Sequence, residues 1–319
     1  LLEVFKKYNI RYFFYNGGND SMDTCHKISS YMQKSGYACR VIGIPKTIDN
    51  DLVGTDHCPG YPSAAKYVAT SLMELSQDAR VYDTGVILVV EIMGRNAGWL
   101  TAAGALAAHK GCGPDLIYLP EVPFDLERFA ARVDEIYRQN KMCIAVVSEG
   151  IRDASGAYIY RQNAADCFGH VQLGGLASYL ADVLRARTNA KVWDIVLSLL
   201  QRCAGHCASG TDVEEACRAG RAAVECAVAG ATGQMVGFVR AEGSSYASEI
   251  RLFPLGAVAN REKKLPVSWI NETHDGLLQP FIDYALPLIQ GEARPVLEEG
   301  LPRYARLRKI PAAPSNVRC

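Results

Sequence analysis

Pro45-Lys46-Thr47-Ile48-Asp49-Asn50-Asp51 follows directly on the apolar run Val41-Ile42-Gly43-Ile44. Such a run reads as a buried strand, so an ammonium, a hydroxyl and two carboxylates are delivered where that strand ends. In open α/β sheets, ligands bind in the crevice beyond the carboxyl ends of the strands. Asp49 or Asp51 can accept a proton from a hydroxyl, the other can hold Mg²⁺, and Lys46 can neutralise phosphate charge. The same residues also suit a polar turn, with Pro45 stopping the strand and Asp49 or Asn50 capping the next segment.

Upstream, the aromatic stretch Arg11 to Tyr15 reads as a strand, Asn16-Gly17-Gly18 as a sharp turn, and Met22, Cys25, Ile28 and Met32 as a helix ending at Gly36. A strand, glycine turn and helix in that order place backbone N–H groups and a helix N-terminus where a phosphate can sit. Downstream, Ala65 to Leu75 carries an apolar helical stripe and Val86 to Val90 is a continuous apolar strand. Glu91-Ile92-Met93-Gly94-Arg95-Asn96 ends that strand and opens an alanine-rich helix through Ala108. Strands at Leu116 to Leu119 and Cys143 to Val147 flank a helix from Asp125, and Ser148-Glu149-Gly150 closes the second strand. After a polar, irregular stretch from Ile151 to Cys167, a helix through Leu176 and Val183 leads to a strand from Trp193 to Leu199. Thr211-Asp212-Val213-Glu214 has the capping-box pattern of a helix running toward Gly230, and Met235 to Val239 and Ile250 to Val258 read as strands. Repeated βα units imply doubly wound parallel sheets. There is no internal repeat or low-complexity linker, and the proline-rich Pro311 to Pro314 reads as a loose tail.

At 319 residues, 49% of them hydrophobic, the chain can bury a substantial core in one large domain or two. Lys+Arg and Asp+Glu are equal at 34 each, so no global basic field gathers nucleic acid or acidic membrane. No apolar run approaches the roughly 20 residues that span a bilayer. The eleven cysteines are scattered, which points to a reducing, cytoplasmic setting. Cys203, His206 and Cys207 approach zinc-ligand spacing, but no second pair stands nearby to complete a tetrahedral site.

Three segments then come together: Gly17-Gly18-Asn19-Asp20-Ser21, Lys46-Thr47-Ile48-Asp49-Asn50-Asp51 and Met93-Gly94-Arg95. In order and separation they resemble the signatures of the phosphofructokinase family. The likeness continues through Ser148-Glu149-Gly150 and Gln201-Arg202 to Gln234-Met235-Val236. It implies two doubly wound, Rossmann-like α/β lobes with the active site between them. By that resemblance, residues 1–62 are the remainder of a phosphoryl-donor lobe, 63–210 a sugar-phosphate lobe, 211–275 a return to the donor lobe and 276–319 a C-terminal segment.

The resemblance also assigns roles. Asp49 corresponds to the base that takes the proton from the sugar hydroxyl, Thr47 to a hydrogen-bond partner of the transferring group, and Asp51 to a carboxylate beside the metal. Met93, Gly94 and Arg95 match the segment that holds the sugar phosphate and stabilises the transition state, a task suited to a guanidinium. Glu149 matches a carboxylate that binds a sugar hydroxyl. Arg202 matches an arginine that reaches a neighbouring subunit's sugar-phosphate site, which implies a homo-oligomer, a dimer or tetramer. Gly17, Gly18, Asp20, Ser21 and Lys46 fall in the phosphoryl-donor site.

Asp20 and Lys46 stand where the ATP-using branch has glycines, as in pyrophosphate-using members. A carboxylate there crowds and repels a nucleotide α-phosphate, and the lysine suits compact pyrophosphate. The implied activity is phosphoryl transfer from pyrophosphate to the 1-hydroxyl of fructose 6-phosphate, with Mg²⁺ held by Asp20 or Asp51. The alternatives are an ATP-dependent kinase of the same sugar and a non-catalytic regulatory subunit that binds sugar phosphate. Three departures from the family pattern stand out. Asn19 replaces a metal-binding Asp, Val86 replaces a second subunit-crossing arginine, and the first glycine-rich loop would precede Leu1, so the chain reads as part of a longer protein.

Overall fold

The computed structural model describes residues 1–160, 173–243 and 245–311. Part of the irregular stretch expected over 151–167, and nearly all of the tail expected over 311–314, lie outside the described residues. The chain runs through α1 (Leu2–Lys7), β1 (Tyr12–Gly17), α2 (Asn19–Lys34) and β2 (Arg40–Pro45) into the loop of residues 46–51. Next come α3 (Tyr61–Ala79), β3 (Val86–Ile92), the short α4 (Trp99–Ala102) and α5 (Gly104–His109), β4 (Leu116–Tyr118), α6 (Leu126–Asn140) and β5 (Met142–Ser148). The remainder comprises α7 (Leu176–Arg187), β6 (Val192–Val196), α8 (Gly210–Val228), β7 (Gln234–Arg240), β8 (Ser248–Pro254), α9 (Leu255–Val258) and α10 (Gln279–Ala285).

These strands pair in two four-stranded sheets, ordered β1-β2-β7-β8 and β4-β5-β3-β6. The second sheet is parallel throughout. In the first, β1, β2 and β7 are parallel, and β8 closes the edge antiparallel to β7. The chain enters the second sheet at β3, returns to the first with α8 and β7, and after β8 packs α10 back against the core of the second.

Both sheets are covered on both faces, which is why their strands read as continuous apolar runs. Every residue of β3 is buried. Leu88, Val90 and Ile92 pack with α3 and α5, whereas Ile87 and Val89 face Phe129 and Val133 of α6 and Leu180 and Leu184 of α7. In the first sheet, Val41 and Met235 meet Met22 and Met32 of α2, and Ile42, Val236 and Phe238 meet Ala219, Ala223 and Ala227 of α8. The small residues on α8 let it lie close to the sheet. Replacing a fully buried ring such as Phe238 by Ala would cost about 3–5 kcal/mol in cavity and transfer terms.

Several sequence boundaries move for identifiable reasons. The strand expected to reach Leu199 stops at Val196, and Ser198–Arg202 forms a 3₁₀ turn in which Leu199 and Leu200 are exposed. The strand expected to reach Val258 ends at Pro254, and α9 turns Leu255 and Val258 inward instead. The helix opened by the Thr211 box is capped two residues earlier: the Ser209 side chain accepts from the Asp212 N–H. The alanine-rich helix starts only at Trp99 and breaks at Ala103. Val86 is fully buried at the start of β3, a core position rather than a surface one. Among the described residues no helix is long and apolar enough to cross a membrane.

Candidate active site

The carboxyl ends of β1, β2, β3 and β5 converge on one cleft. At the end of β1, Gly18 caps α2, whose first turn carries Asn19, Asp20 and Ser21. A Cβ on Gly17 would lie 2.1 Å from Ser21 Oγ, so that glycine allows the helix to close over the strand end. The β2 loop is registered on it by Lys46 N–H donating to the Gly17 carbonyl at 3.0 Å. Beyond β3, Gly94 is wedged against β5, where a Cβ would come 2.7 Å from Ser148 Oγ. Gly94 N–H donates to Glu149 Oε1 at 3.3 Å, and Met93 N–H donates to Gln201 Oε1 at 3.1 Å.

A cleft of about 650 Å³ is lined by Gly18, Asp20, Ser21 and Asp51 on one side and by Arg95 and Glu149 on the other. A second cavity of about 480 Å³ is lined by Lys46 and Arg202. Thr47, Asp49 and Met93 line both and form the wall between them. Gly17 and Gly94 are set back and act through backbone geometry. Lys46, expected with the donor residues, lines the second cavity. Arg202 lines the same cavity as Asp49 of its own chain.

Burial pushes the Asp49 carboxyl above the ordinary carboxylate range, against the opposing effects of Thr47, Arg95, Arg202 and Lys46. Asp51 is pushed up to about 6, by burial first and the Asp49 charge second, with the hydrogen bond from Asn19 pulling down and Glu262 adding to the rise. Glu149 is also raised, chiefly by burial, with the Gly94 N–H opposing. Among the described residues, no carboxylate lies within 4.0 Å of the charged nitrogens of Lys46, Arg95 or Arg202. Cations without partners next to carboxylates held toward neutrality make a site ready for an anion that delivers a group to a hydroxyl.

Asn19 Nδ2 donates to Asp51 Oδ2 at 2.8 Å. Asn19 Oδ1 and Asp51 Oδ1 are both buried without a partner. Two unpartnered hard oxygens on side chains that are hydrogen-bonded to each other suit a cation such as Mg²⁺, which takes one or two protein oxygens and completes its shell with water and phosphate. Among the described residues there is no group of three His, Cys, Asp or Glu side chains arranged for a metal, the Cys203-His206-Cys207 region included.

Sequence reasoning missed what holds the loop. Asn50, fully buried at φ +54°, separates the two carboxylates. Its Oδ1 accepts from Cys58 N–H at 2.9 Å and from Lys263 Nζ at 3.4 Å, and its Nδ2 donates to Tyr284 Oη at 2.8 Å. Asp212, on α8, accepts from Gly60 N–H and Ser63 N–H at the start of α3, tying the lobes together. Asn96, Arg152, Tyr158 and Glu262 on the cleft wall were missed too. The asparagine-for-aspartate change at Asn19 was the one visible signal for the vacant oxygens.

Residues 1–227 match the family described as Phosphofructokinase. The chain belongs to the phosphofructokinase family. It is 46% identical, over 99% of its length and 76% of the relative's, to the Pyrophosphate--fructose 6-phosphate 1-phosphotransferase of Methylococcus capsulatus. A protein of the same name from Halomonas elongata is 45% identical over 97% of this chain and 74% of its own. The crystal structure of the pyrophosphate-dependent phosphofructokinase from Marinobacter aquaeolei superposes with a TM-score of 0.88 at 41% identity, covering 100% of this chain and 77% of that one. The phosphofructokinase two-lobed α/β architecture is therefore the architecture of this chain, and the cleft lies where its strand ends meet.

Proposed function

We propose that this chain moves a phosphoryl group from pyrophosphate to the 1-hydroxyl of fructose 6-phosphate, giving fructose 1,6-bisphosphate and phosphate. One observation carries the reading: Asp49, a half-buried carboxylate with a raised pKa, forms the wall between two cation-lined cavities. A donor in the larger cavity and an acceptor in the smaller one meet across that wall, where a base is needed.

In this reading pyrophosphate lies against Gly18, Ser21 and the N-terminus of α2, and the sugar phosphate lies toward Arg202 and Lys46. Glu149, on the larger-cavity side of the dividing wall beside Met93, fixes a sugar hydroxyl that crosses that wall, with Met93 and Gly94 shaping the passage. Asp49 takes the proton as the 1-oxygen attacks, and Arg95 meets the charge that develops on the phosphoryl oxygens. Thr47 orients that group, and Lys46 adds a cation beside the base. Asp51 Oδ1 and Asn19 Oδ1 would hold Mg²⁺, which neutralises phosphate charge when bound. Asp20, exposed in the first turn of α2, places a carboxylate where a nucleotide would continue beyond its terminal phosphates, and so favours pyrophosphate over ATP.

The test supplies fructose 6-phosphate and Mg²⁺ to the purified full-length protein with either pyrophosphate or ATP and measures bisphosphate. Turnover with pyrophosphate alone is expected. Turnover with ATP alone would overturn the donor, and turnover with neither would leave a regulatory subunit.

A further inference from the structure

Arg152 lies beyond β5 at the cleft wall and has no role in the transfer steps assigned to Asp49, Arg95 and Lys46. Its backbone is fixed twice: its carbonyl accepts from Phe124 N–H at 2.7 Å, and it bridges to Tyr158 across a tight loop. Its guanidinium lies 4.3 Å from the Tyr158 ring centroid. One terminal nitrogen donates to Asn96 Oδ1 at 2.9 Å and to Tyr158 Oη at 2.7 Å. Asn96 is itself oriented, its Nδ2 donating to Glu262 Oε1 at 2.7 Å. The side chain is thus aimed by neutral partners bonded to a single nitrogen. Among the described residues no carboxylate lies within 4.0 Å of its charged nitrogens. A cation built so rigidly, with no countercharge among the described residues, is suited to a bidentate anion.

Its cavity identifies the anion. Arg152 lines the larger cleft together with Gly18 and Ser21, whereas Lys46 and Arg202 line the smaller one. The reaction develops charge at both ends of the donor. As the 1-oxygen bonds to the near phosphorus, that phosphorus loses its bond to the bridging oxygen, which keeps the electron pair. The sugar proton passes to Asp49, and inorganic phosphate departs with the negative charge formerly shared. Arg95 serves the near phosphoryl group, so the far phosphate requires a cation of its own.

We propose that Arg152 grips the leaving phosphate of pyrophosphate and so helps to set the donor. The inference rests on the proposed pyrophosphate-dependent transfer and adds a residue to it. It predicts matched effects on pyrophosphate in the forward direction and on phosphate in the reverse direction, with little effect on either sugar.

The test compares Arg152→Ala and Arg152→Lys with the wild-type full-length protein, each checked for folding by circular dichroism. KM is measured for all four reactants, and pyrophosphate binding by calorimetry without sugar. In Arg152→Ala, KM for pyrophosphate and for phosphate should rise about 10- to 100-fold, the size of a lost charge-assisted contact, with sugar KM values changed less than about twofold. Arg152→Lys should recover part of the loss, which a purely structural role in holding Asn96 and Tyr158 would not give. A rise confined to the sugar KM values would overturn the proposal, as would unchanged KM values throughout. If the wild type turns over only with ATP and binds no pyrophosphate, the functional reading fails and takes this proposal with it. If the wild type uses pyrophosphate and Arg152→Ala binds it equally well, only this proposal fails.

Discussion

Two groups of carboxylates, half-buried or buried, stand close to each other and are treated in opposite ways. Around His57, Asp56 Oδ2 lies 2.9 Å from Nδ1 and Glu215 Oε2 lies 2.6 Å from Nε2, with the imidazole stacked on Phe238. Arg240 pairs with Asp56 at 3.1 Å, while Tyr246 and Ser248 donate to Glu215. Burial is the largest single influence and would raise both acids, yet His57 together with Arg240 at Asp56, and His57 together with Ser248 and Tyr246 at Glu215, outweigh it, and both are lowered. Asp49 and Asp51 are half-buried like Asp56, but their partners are too few, and both are raised. Full satisfaction makes a scaffold; incomplete satisfaction leaves capacity for a ligand.

The sharpest way to break this contrast is Asp49→Ala. It should lower kcat by about a thousandfold, within the range for a lost general base, while leaving the sugar-phosphate dissociation constant nearly unchanged. A kcat close to wild type would remove Asp49 from the role of base. Next in size, Glu215→Ala should cost about 3 kcal/mol in denaturant unfolding, because it leaves a buried imidazolium with one partner fewer. A loss below about 1 kcal/mol would show that the cluster does not brace the fold.

The pH dependence of stability carries a smaller signature. Asp56 and Glu215 sit below their ordinary values of 3.8 and 4.5, so their contribution is complete above those values and fades as pH falls through the lower folded ones. His57 sits above its ordinary 6.5, because its carboxylate hydrogen bonds overcome burial, so its contribution is complete below 6.5 and fades as pH rises through the higher folded value. Stability from the cluster should therefore be greatest between 4.5 and 6.5. Unfolding measured from pH 6 to 9 should show a decline in the wild type that is shallower in Glu215→Gln. Parallel curves would sink the assignment. Smallest of all, Asp51→Asn should stabilise the ligand-free protein at pH 8 by about 1–2 kcal/mol, since a carboxylate held up to about 6 costs stability when ionised above that pH. Destabilisation instead would mean that Asp51 is better satisfied than its vacant Oδ1 indicates.

What the sequence disclosed obeys the same division. Strand ends and their polar residues were legible because each depends on a local pattern: an apolar run, a stop, then Asp49, Arg95 or Glu149. The scaffold was not, since His57 and Glu215 lie 158 residues apart and neither stands in a recognisable spacing. Arg152 was passed over inside a stretch that read only as polar and irregular. The 3₁₀ turn at Ser198–Arg202 was misread as strand because Leu197-Ser198-Leu199-Leu200 is apolar enough for either, and only exposure separates them. That Arg202 lines one cavity with Asp49, more than 150 residues earlier, is a long-range placement that only the folded chain shows.

Asn50 carries a last consequence. Its side chain is pinned by residues 213 and 234 positions later, Lys263 and Tyr284, and it sits in a left-handed conformation between the two acids. A ribosome that has released β1 through β5 has already supplied every signature of the donor and base segments, yet the loop still lacks its fasteners. The nascent chain is therefore equipped for chemistry long before it is aligned for it, and α10 is the piece whose arrival completes the alignment.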